Sequence, residues 1–373
     1  MPSILTCRTK ADLRGFEAVP ERLHRMEPAY IPPAPGAVVK FLKKDSSFQK
    51  LHGEIRSFIA HRNGVPAGRI AGIVNRSHNN YYGDKVGFFG FFACEENLET
   101  SRALFAEVEK FLKEKGLTHI RGPYNPSVNE ECGLLVDSFQ CAPFIGMPWN
   151  PSYYEKLVLD NGFQVVRRLY AYLLSTSVPM PKRVERVTQR IARRGSWTIR
   201  PMNLSKLKEE IAIIHRLYNE TLNRNWGFVP IALEDLETAT QELKLIADPQ
   251  IINFVEKDGE PVGFAVCFPN INDLLAKTKK TPAGILRSLH LLGLIKTQRP
   301  KHSRLAILGV APAYRDRGIN AWLFYEQLMR AKKGGYESTE LSWIEENNQE
   351  IIRGIELMGG KKYRTYHLYE KML

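Results

Sequence analysis

The sequence has little of what indicates disulfide bonds, a structural metal or a membrane span. Its five cysteines are odd in number and never spaced as CxxC, and its nine histidines show no ligand spacing such as HxxxH. No apolar run reaches the roughly 18 residues of a membrane-spanning helix, and the N-terminal segment MPSILTCRTKADLRGFEAVPERLH has no apolar stretch of signal-peptide length. These absences predict a cytoplasmic protein without disulfides or a bound metal.

Length and composition predict two folded domains. The chain has 373 residues, more than one ordinary core holds, and 43% of them are hydrophobic and 25% charged. The formal net charge of +13 indicates an acidic partner, which could be nucleic acid, an anionic membrane surface or a phosphorylated cofactor. The charge by itself does not choose among the three.

The first half of the chain alternates strand and helix patterns. Two strands are expected to meet at the turn Asn63-Gly64, and KVGFFGFFACE is typical of a third. The segment NLETSRALFAEVEKFLKEKGL has apolar residues at helical spacing and ends at Gly116. A strand (THIRGPYN), a helix (NPSYYEKLVLDNGF) and a final strand (QVVRRLYAYLLS) are predicted to follow.

The second half repeats this order from a hairpin through Asp258-Gly259. It continues with a strand (RLAILGVAP), a helix (GINAWLFYEQLMRAKKGG), a strand (STELSWIEE), a helix (NNQEIIRGIELMGG) and a closing strand (KKYRTYHLYEKML). The pattern predicts two domains of one α/β (α+β) type, over residues 1–178 and 201–373. Residues 179–200 are predicted to form a basic linker helix. Its arginines are not interleaved with aromatic residues that could stack on bases, so we do not expect nucleic acid as a partner.

The segment VAPAYRDRGINAWL in the second half has the pattern of an anion site. A strand ending near Val310, then Arg315 and Gly318, then a helix beginning near Ile319 would aim backbone N–H groups and a helix N-terminus at one point. An ordinary turn between a strand and a helix, with glycine present only for backbone geometry, would give the same spacing.

This segment resembles the acyl-CoA pyrophosphate loop of the GNAT superfamily of N-acyltransferases, whose pattern is Gln/Arg-x-x-Gly-x-Gly/Ala. Arg315, Gly318 and Asn320 fall on its three defined positions, and Asn320 departs from the small residue usual at the third. The resemblance implies two tandem GNAT-like domains, each a mixed, mostly antiparallel sheet flanked by helices. It also implies acyl-CoA as cosubstrate, held by the N–H groups of Arg317, Gly318 and Ile319.

The first half lacks an arginine and a glycine at this spacing, so we expect no cofactor loop there. Its segment from Arg121 to Tyr154 sets Asn125, Asn129 and Glu130 among prolines and aromatics, which favours either a polar-lined acceptor pocket or an ordered set of turns. In the second half, the resemblance places Asn225, Trp226 and Phe228 of YNETLNRNWGFVPI on the acceptor side, although Trp226 could equally be a core residue.

A further segment lies between two strands of the second half. From Leu274 to Arg304 it has eight Lys or Arg residues and no acid. Its aliphatic residues recur at helical spacing, at Ile285, Leu286, Leu289, Leu292 and Ile295. Such a helix could lie on an anionic membrane, cover a long acyl chain or pack on the core of the protein.

Several segments together resemble a narrower group, the tandem-GNAT proteins similar to bacterial ceramide synthases. They are NWGFVP, GPYNPSVNEECGLLVDSF and LSWIEENN, and with the loop they extend the resemblance over nearly the whole chain. It implies transfer of a long fatty acyl group, from coenzyme A or an acyl carrier protein, to a sphingoid-type lipid amine. Peripheral contact with the inner face of the membrane is expected with it.

The GNAT scheme implies a backbone N–H at the end of the central strand, around Leu308 to Val310, as donor to the oxyanion. Glu345 and Glu346 end the next strand on opposite faces, and of the two we favour Glu346 as the base. The usual acid is a tyrosine, but Ile355 stands at its position, so Tyr363, solvent or Tyr154 must supply the proton. Cys267 has no paired base, so direct transfer is expected.

Two other functions fit the same residues. One is an acetyl-CoA-dependent acetyltransferase of a small amine or peptide. The other is a non-catalytic protein that keeps the GNAT scaffold to bind lipid or nucleic acid.

Overall fold

The computed structural model describes residues 1–193, 196–243 and 246–373, so Arg194 and Gly195 of the predicted linker helix lie outside the described residues. The chain forms two compact units. The first unit consists of Met1–Leu169, Leu274–Thr297 and Arg364–Leu373, and the second unit of Tyr170–Asp273 and Gln298–Tyr363. The domain limits at residues 178 and 201 stay a prediction.

Helices and strands follow one another much as the sequence predicts. The helices are α1 (Lys10–His24), α2 (Val39–Leu42), α3 (Arg76–Tyr82), α4 (Leu98–Glu114), α5 (Tyr153–Leu159), α6 (Lys182–Ala192), α7 (Leu207–Thr221), α8 (Leu233–Leu243), α9 (Asn272–Leu275), α10 (Ile285–Thr297), α11 (Ile319–Lys333) and α12 (Gln349–Leu357). The strands are β1 (Ser3–Thr6), β2 (Gly53–Arg62), β3 (Val65–Asn75), β4 (Val86–Cys94), β5 (His119–Gly122), β6 (Tyr124–Asn125), β7 (Glu131–Cys132), β8 (Leu134–Leu135), β9 (Gln164–Ser175), β10 (Trp197–Pro201), β11 (Ile252–Lys257), β12 (Glu260–Pro269), β13 (His302–Val310), β14 (Ser338–Glu345) and β15 (Lys361–Met372).

The first unit is a mixed, mostly antiparallel sheet with helices against it. Strands β1 to β4 pair antiparallel in chain order, β5 joins β4 in parallel, and the end of β15 pairs antiparallel with β5. Helix α4 begins at the N-cap Asn97, whose side chain accepts from the Thr100 N–H. Its predicted apolar face is buried in the core of this unit, at Leu104, Phe105, Val108, Phe111 and Leu112.

The second unit has the same construction. Strands β10 to β13 pair antiparallel in chain order and β14 joins β13 in parallel. Helix α11 buries Trp322, Leu323 and Leu328 in the core, where Val184 and Ile191 of α6 also lie. Helix α6, predicted as a linker, therefore packs an apolar side into the second unit. The predicted fold class, a mixed sheet flanked by helices in each half, is confirmed.

The described residues offer neither a membrane-spanning helix nor a metal site. No helix among them is long and apolar enough to cross a membrane. Nor do three or more of their His, Cys, Asp or Glu side chains come together in a way that could hold a metal ion.

Candidate active site

The site begins where β13 and β14 separate. Their parallel register runs from His302–Ser338 to Leu305–Leu341, and both strands continue beyond it. At this point the β12–β13 pairing jumps from Cys267–Leu305 to Val266–Ile307, so that Ala306 forms a bulge. An opening between the ends of two parallel strands is a place where a substrate can reach the backbone.

The N–H groups at the end of β13 alternate between its two neighbours. The Ala311 N–H donates to the Val262 carbonyl, 2.8 Å away on the β12 side. Because successive N–H groups of a strand point in opposite directions, those of Val310 and Leu308 point toward the β14 side. The two residues predicted to provide the oxyanion donor thus have their N–H groups directed at the opening.

A short loop carries the chain from β13 into α11. The turn Pro312–Tyr314 follows Ala311, and Gly318 is the N-cap of α11. The first N–H groups of a helix have no partner four residues earlier, which leaves those of Gly318, Ile319, Asn320 and Ala321 for a ligand. Gly318 and Ile319 are two of the three predicted N–H donors, and the third, Arg317, precedes the helix. An open cavity of about 170 Å³ lies here, lined by residues that include Val310, Arg315, Gly318, Ile319, Asn320, Glu350, Gly354 and Met358.

Gly318 is the residue that this geometry cannot easily replace. Its φ of +79° is in the left-handed region, where a side chain is strained, and a Cβ there would lie 3.0 Å from Cδ1 of Ile191 on α6. Glycine at this position therefore allows both the positive φ and the close approach of α6, at a residue that lines the cavity.

Arg315 lines the cavity, but its guanidinium donates hydrogen bonds to backbone carbonyls of the second unit. Its Nε donates to the Val310 carbonyl at 3.2 Å and its Nη2 to the Thr221 carbonyl at 2.8 Å. The side chain thereby ties the end of β13 to the end of α7. Arg317 is exposed, with its guanidinium 5.6 Å from the centre of the Tyr314 ring.

The two predicted base candidates lie at the end of β14. Glu345 is the last residue of the strand, Glu346 follows it, and both are half-buried. The Asn348 N–H donates to the Glu345 carbonyl at 2.9 Å, and the Asn348 side chain caps α12. The turn that carries these carboxylates is therefore held by α12.

A buried carboxylate in β14 was missed at the level of sequence. Glu340 is fully buried and accepts from the Ser342 hydroxyl at 2.6 Å and from the Tyr363 hydroxyl. Arg304 lies opposite it on β13, with Nε 3.8 Å from its Oε1. An acid in the middle of the strand pattern STELSWIE was the signal that could have revealed this network. Tyr363, a predicted acid, uses its one O–H group to donate this hydrogen bond to Glu340.

The first unit has the equivalent opening, filled by its own chain. The parallel register of β4 and β5 ends at Phe88–Arg121. A little further on, the Phe91 N–H donates to Oδ1 of Asn125 at 2.5 Å. The Tyr124 carbonyl oxygen would lie 1.6 Å from a Cβ on Gly90. Asn125, predicted to bind substrate, thus pairs with the backbone of β4.

The other predicted substrate residues of the first unit lie apart. Asn129 and Glu130 are exposed between β6 and β7. Tyr154 is 2% exposed and accepts from the Cys94 N–H at 2.9 Å, while its hydroxyl lies 2.7 Å from Nε2 of His24. Burial, with the charge of Arg69, lowers the pKa of His24 to about 4, so its imidazole is neutral near neutral pH and shares a hydrogen bond with the Tyr154 hydroxyl.

Asn225, Trp226 and Phe228 follow α7 in the second unit. Phe228 is buried with its ring centre 5.7 Å from that of Tyr218. Trp226 is half-buried and Asn225 is exposed. Of the predicted cofactor residues, the cavity is lined by Val310, Arg315, Gly318, Ile319 and Asn320, and Leu308 and Arg317 are not among its lining residues. The predicted substrate residues are spread over both units. Their assignment stays a prediction.

Comparison with known proteins agrees with this geometry. Residues 212–359 match the model described as the acetyltransferase (GNAT) family. The chain is 30% identical over 381 residues to the bacterial ceramide synthase of Caulobacter vibrioides (strain NA1000 / CB15N), which covers 100% of this chain and 97% of that protein. It is 28% identical over 385 residues to protein YghO of Escherichia coli (strain K12), covering 99% and 95%.

A solved tandem GNAT protein from the clavulanic acid biosynthesis pathway superposes on the chain with a TM-score of 0.58. The match covers 100% of this chain and 98% of that one at 10% sequence identity. At so low an identity the match concerns the fold alone.

Proposed function

Because this chain belongs to the GNAT acetyltransferase family and is an acyltransferase, we propose that it moves an acyl group from a coenzyme A or acyl-carrier-protein thioester to an amine. In this proposal the acyl group is a long fatty chain and the acceptor is a sphingoid-type lipid amine. The match along the whole chain to a bacterial ceramide synthase carries the choice of lipid. The protein is proposed to act in the cytoplasm, in peripheral contact with the inner face of an anionic membrane.

The cavity at the start of α11 supports coenzyme A as the acyl carrier. The predicted N–H donors of Arg317, Gly318 and Ile319, the first-turn N–H groups of Asn320 and Ala321 and the positive end of the helix dipole suit a pyrophosphate. Gly318 leaves room where a Cβ would approach Ile191. When bound, the cosubstrate supplies the activated thioester, and these residues bind and orient it.

The opening between β13 and β14 supports acyl transfer. In this proposal the N–H groups of Leu308 and Val310 donate to the thioester oxygen as negative charge develops on it. Glu346 takes a proton from the acceptor ammonium, directly or through a water molecule, with Glu345 as the less favoured base. The free amine then attacks the thioester carbonyl and loses its second proton to solvent. Amide formation then expels the thiolate.

Direct transfer without an acyl-enzyme is part of the proposal. Burial raises the pKa of Cys267 to about 12, so its thiol stays protonated near neutral pH and is a poor nucleophile. The expelled thiolate takes its proton from solvent or from Tyr363. Tyr363 can provide a proton only when its hydroxyl leaves Glu340, because a phenol has one proton to donate.

The test is a thiol-release assay on the purified chain with palmitoyl-CoA and a sphingoid base, with the product identified by mass spectrometry. We expect thiol release that depends on the amine and an amide-linked lipid as product. Turnover of acetyl-CoA with small amines, and none of palmitoyl-CoA, would instead indicate a small-molecule acetyltransferase. No thiol release with either thioester, with vesicle or nucleic-acid binding intact, would indicate a non-catalytic protein.

A further inference from the structure

Helix α10 exposes an aliphatic face. Ile285, Leu286, Leu289 and Leu292 are 75%, 55%, 59% and 43% exposed, and at helical spacing they form one stripe. A helix on a protein surface normally turns such a stripe toward the core. Four neighbouring aliphatic side chains left in solvent therefore indicate an apolar partner.

The opposite side of α10 is held to the first unit. Arg287 is 3% exposed, and its Nη1 and Nη2 donate to the two carboxylate oxygens of Glu21 at 2.9 and 2.5 Å. Its Nη2 also donates to the Thr281 carbonyl at 2.9 Å. Leu294 is buried on the same side. This bidentate ion pair fixes the rotation of α10 about its own axis. The aliphatic stripe on the opposite side is therefore held facing solvent.

The chain around α10 is basic. Between Leu274 and Arg304 there are eight Lys or Arg residues and no acid. Exposed lysines precede the helix, at Lys277 and Lys280, and another, Lys296, lies in its last turn. Long cationic side chains can keep their charge among lipid headgroups while the neighbouring aliphatic residues enter the acyl region.

We propose that α10 docks the protein on the surface of an anionic phospholipid bilayer. With 13 residues, about 20 Å of helix, α10 is too short to span the hydrocarbon core and lies in the interface. A second copy of the chain fits this face poorly, because pairing would bring two acid-free basic segments together. The inference rests on the proposed function, which already places the protein in peripheral contact with an anionic membrane, and it names the helix that makes this contact.

The test is flotation of the full chain with vesicles. We expect binding to equimolar phosphatidylcholine and phosphatidylglycerol, weak binding to phosphatidylcholine alone, and loss of binding in high salt. The double variant Leu286→Asp and Leu289→Asp should bind at least about tenfold more weakly. Lys280→Gln and Lys296→Gln should each weaken binding about fivefold, and only on the anionic vesicles.

The matched control is the pair Leu51→Asp and Leu159→Asp, which are 51% and 43% exposed elsewhere in the first unit. It should bind vesicles like the unaltered chain, and circular dichroism should show both double variants folded. Equal vesicle binding by the two pairs would overturn the proposal. The proposal would also be overturned if the unaltered chain does not float with vesicles but self-associates, and the α10 double variant abolishes that self-association.

The docking surface and the enzymatic proposal fail separately. With the acceptor dispersed in detergent, the α10 pair should release thiol at the rate of the unaltered chain. A chain that floats with anionic vesicles and releases no thiol would refute the acyltransfer proposal and support the docking surface. A chain that releases thiol but never floats with vesicles would refute the docking surface and support the acyltransfer proposal.

Discussion

The backbone N–H of Phe91 donates to the side-chain oxygen of Asn125 at 2.5 Å. This contact occupies, in the first unit, the strand end that stays open between β13 and β14 in the second. Two units of the same construction therefore differ at the point where chemistry would occur. The proposed thioester site belongs to the second unit for that reason.

Asn125→Ala is expected to lower stability and leave acyl-CoA affinity unchanged. Loss of the acceptor leaves the Phe91 N–H unpaired, which costs about 1–3 kcal/mol of the free energy of unfolding. Urea unfolding and calorimetric titration with coenzyme A measure the two quantities. Asn129→Ala, on an exposed residue of the same segment, should change neither. A stable Asn125→Ala that no longer binds coenzyme A would move the site to the first unit.

Gly318→Val is expected to abolish acyl-CoA binding. The change places a β-branched side chain at a φ of +79° and against Ile191, at the start of the helix whose N–H groups form the cradle. Asn320→Gly should keep or raise the affinity, because it restores the small residue of the GNAT pattern. Calorimetric titration with coenzyme A measures both.

The control for Gly318→Val is Gly335→Val. Gly335 has a φ of +83° and nothing within 4 Å of its virtual Cβ, so this variant introduces a similar backbone strain away from the cavity. It should lose stability and keep affinity. If Gly318→Val binds coenzyme A normally, the cradle lies elsewhere.

Arg315 and Arg317 are expected to act differently. Arg315→Ala removes two hydrogen bonds to main-chain carbonyls, at Val310 and Thr221, and should lower the free energy of unfolding by about 1–3 kcal/mol as well as weaken binding. Arg317 is exposed, so Arg317→Ala should weaken coenzyme A binding only through the loss of a positive charge that solvent screens. Unfolding and titration curves of both variants separate these effects. An Arg315→Ala protein of unaltered stability would show that these two hydrogen bonds do not stabilise the fold.

Glu346→Gln is expected to lower kcat by about 10²–10⁴. The amide cannot accept the ammonium proton but keeps the size of the side chain. Glu345→Gln is the matched control, since strand alternation directs it to the other face, and its kcat should stay within a few fold. The opposite pattern would assign the base to Glu345.

Local chemistry explains why much of the fold could be predicted from the sequence. The hairpins at Asn63-Gly64 and Asp258-Gly259 each need two residues of positive φ, and the structure has φ values of 52° and 76° in the first turn and 53° and 86° in the second. The aliphatic spacing of α10 predicted a helix, but the sequence left open which way its stripe faced.

The partners of the site residues could not be predicted, because they join distant parts of the chain. Arg315 is 94 residues from Thr221, and Asn125 is 34 from Phe91. A motif specifies a residue type at a spacing, and the side chain of either arginine or asparagine can bond a ligand or the backbone of its own chain. Only the packing of α7 beside β13 shows that Arg315 serves the backbone. The same holds for Arg304 and Tyr363, the partners of Glu340, although the acid within the strand pattern was visible in the sequence.

Acid is expected to destabilise the first unit through His24. Burial, with the charge of Arg69, lowers the pKa of His24 from 6.5 to about 4. Between these values the unfolded chain binds a proton that folded His24 does not, so the free energy of unfolding falls as the pH drops through this interval. His24→Gln can still bond the Tyr154 hydroxyl but does not titrate, and urea unfolding across the interval should give it a shallower slope. Equal slopes would assign the acid sensitivity to other groups, such as His78, whose pKa burial also lowers to about 4.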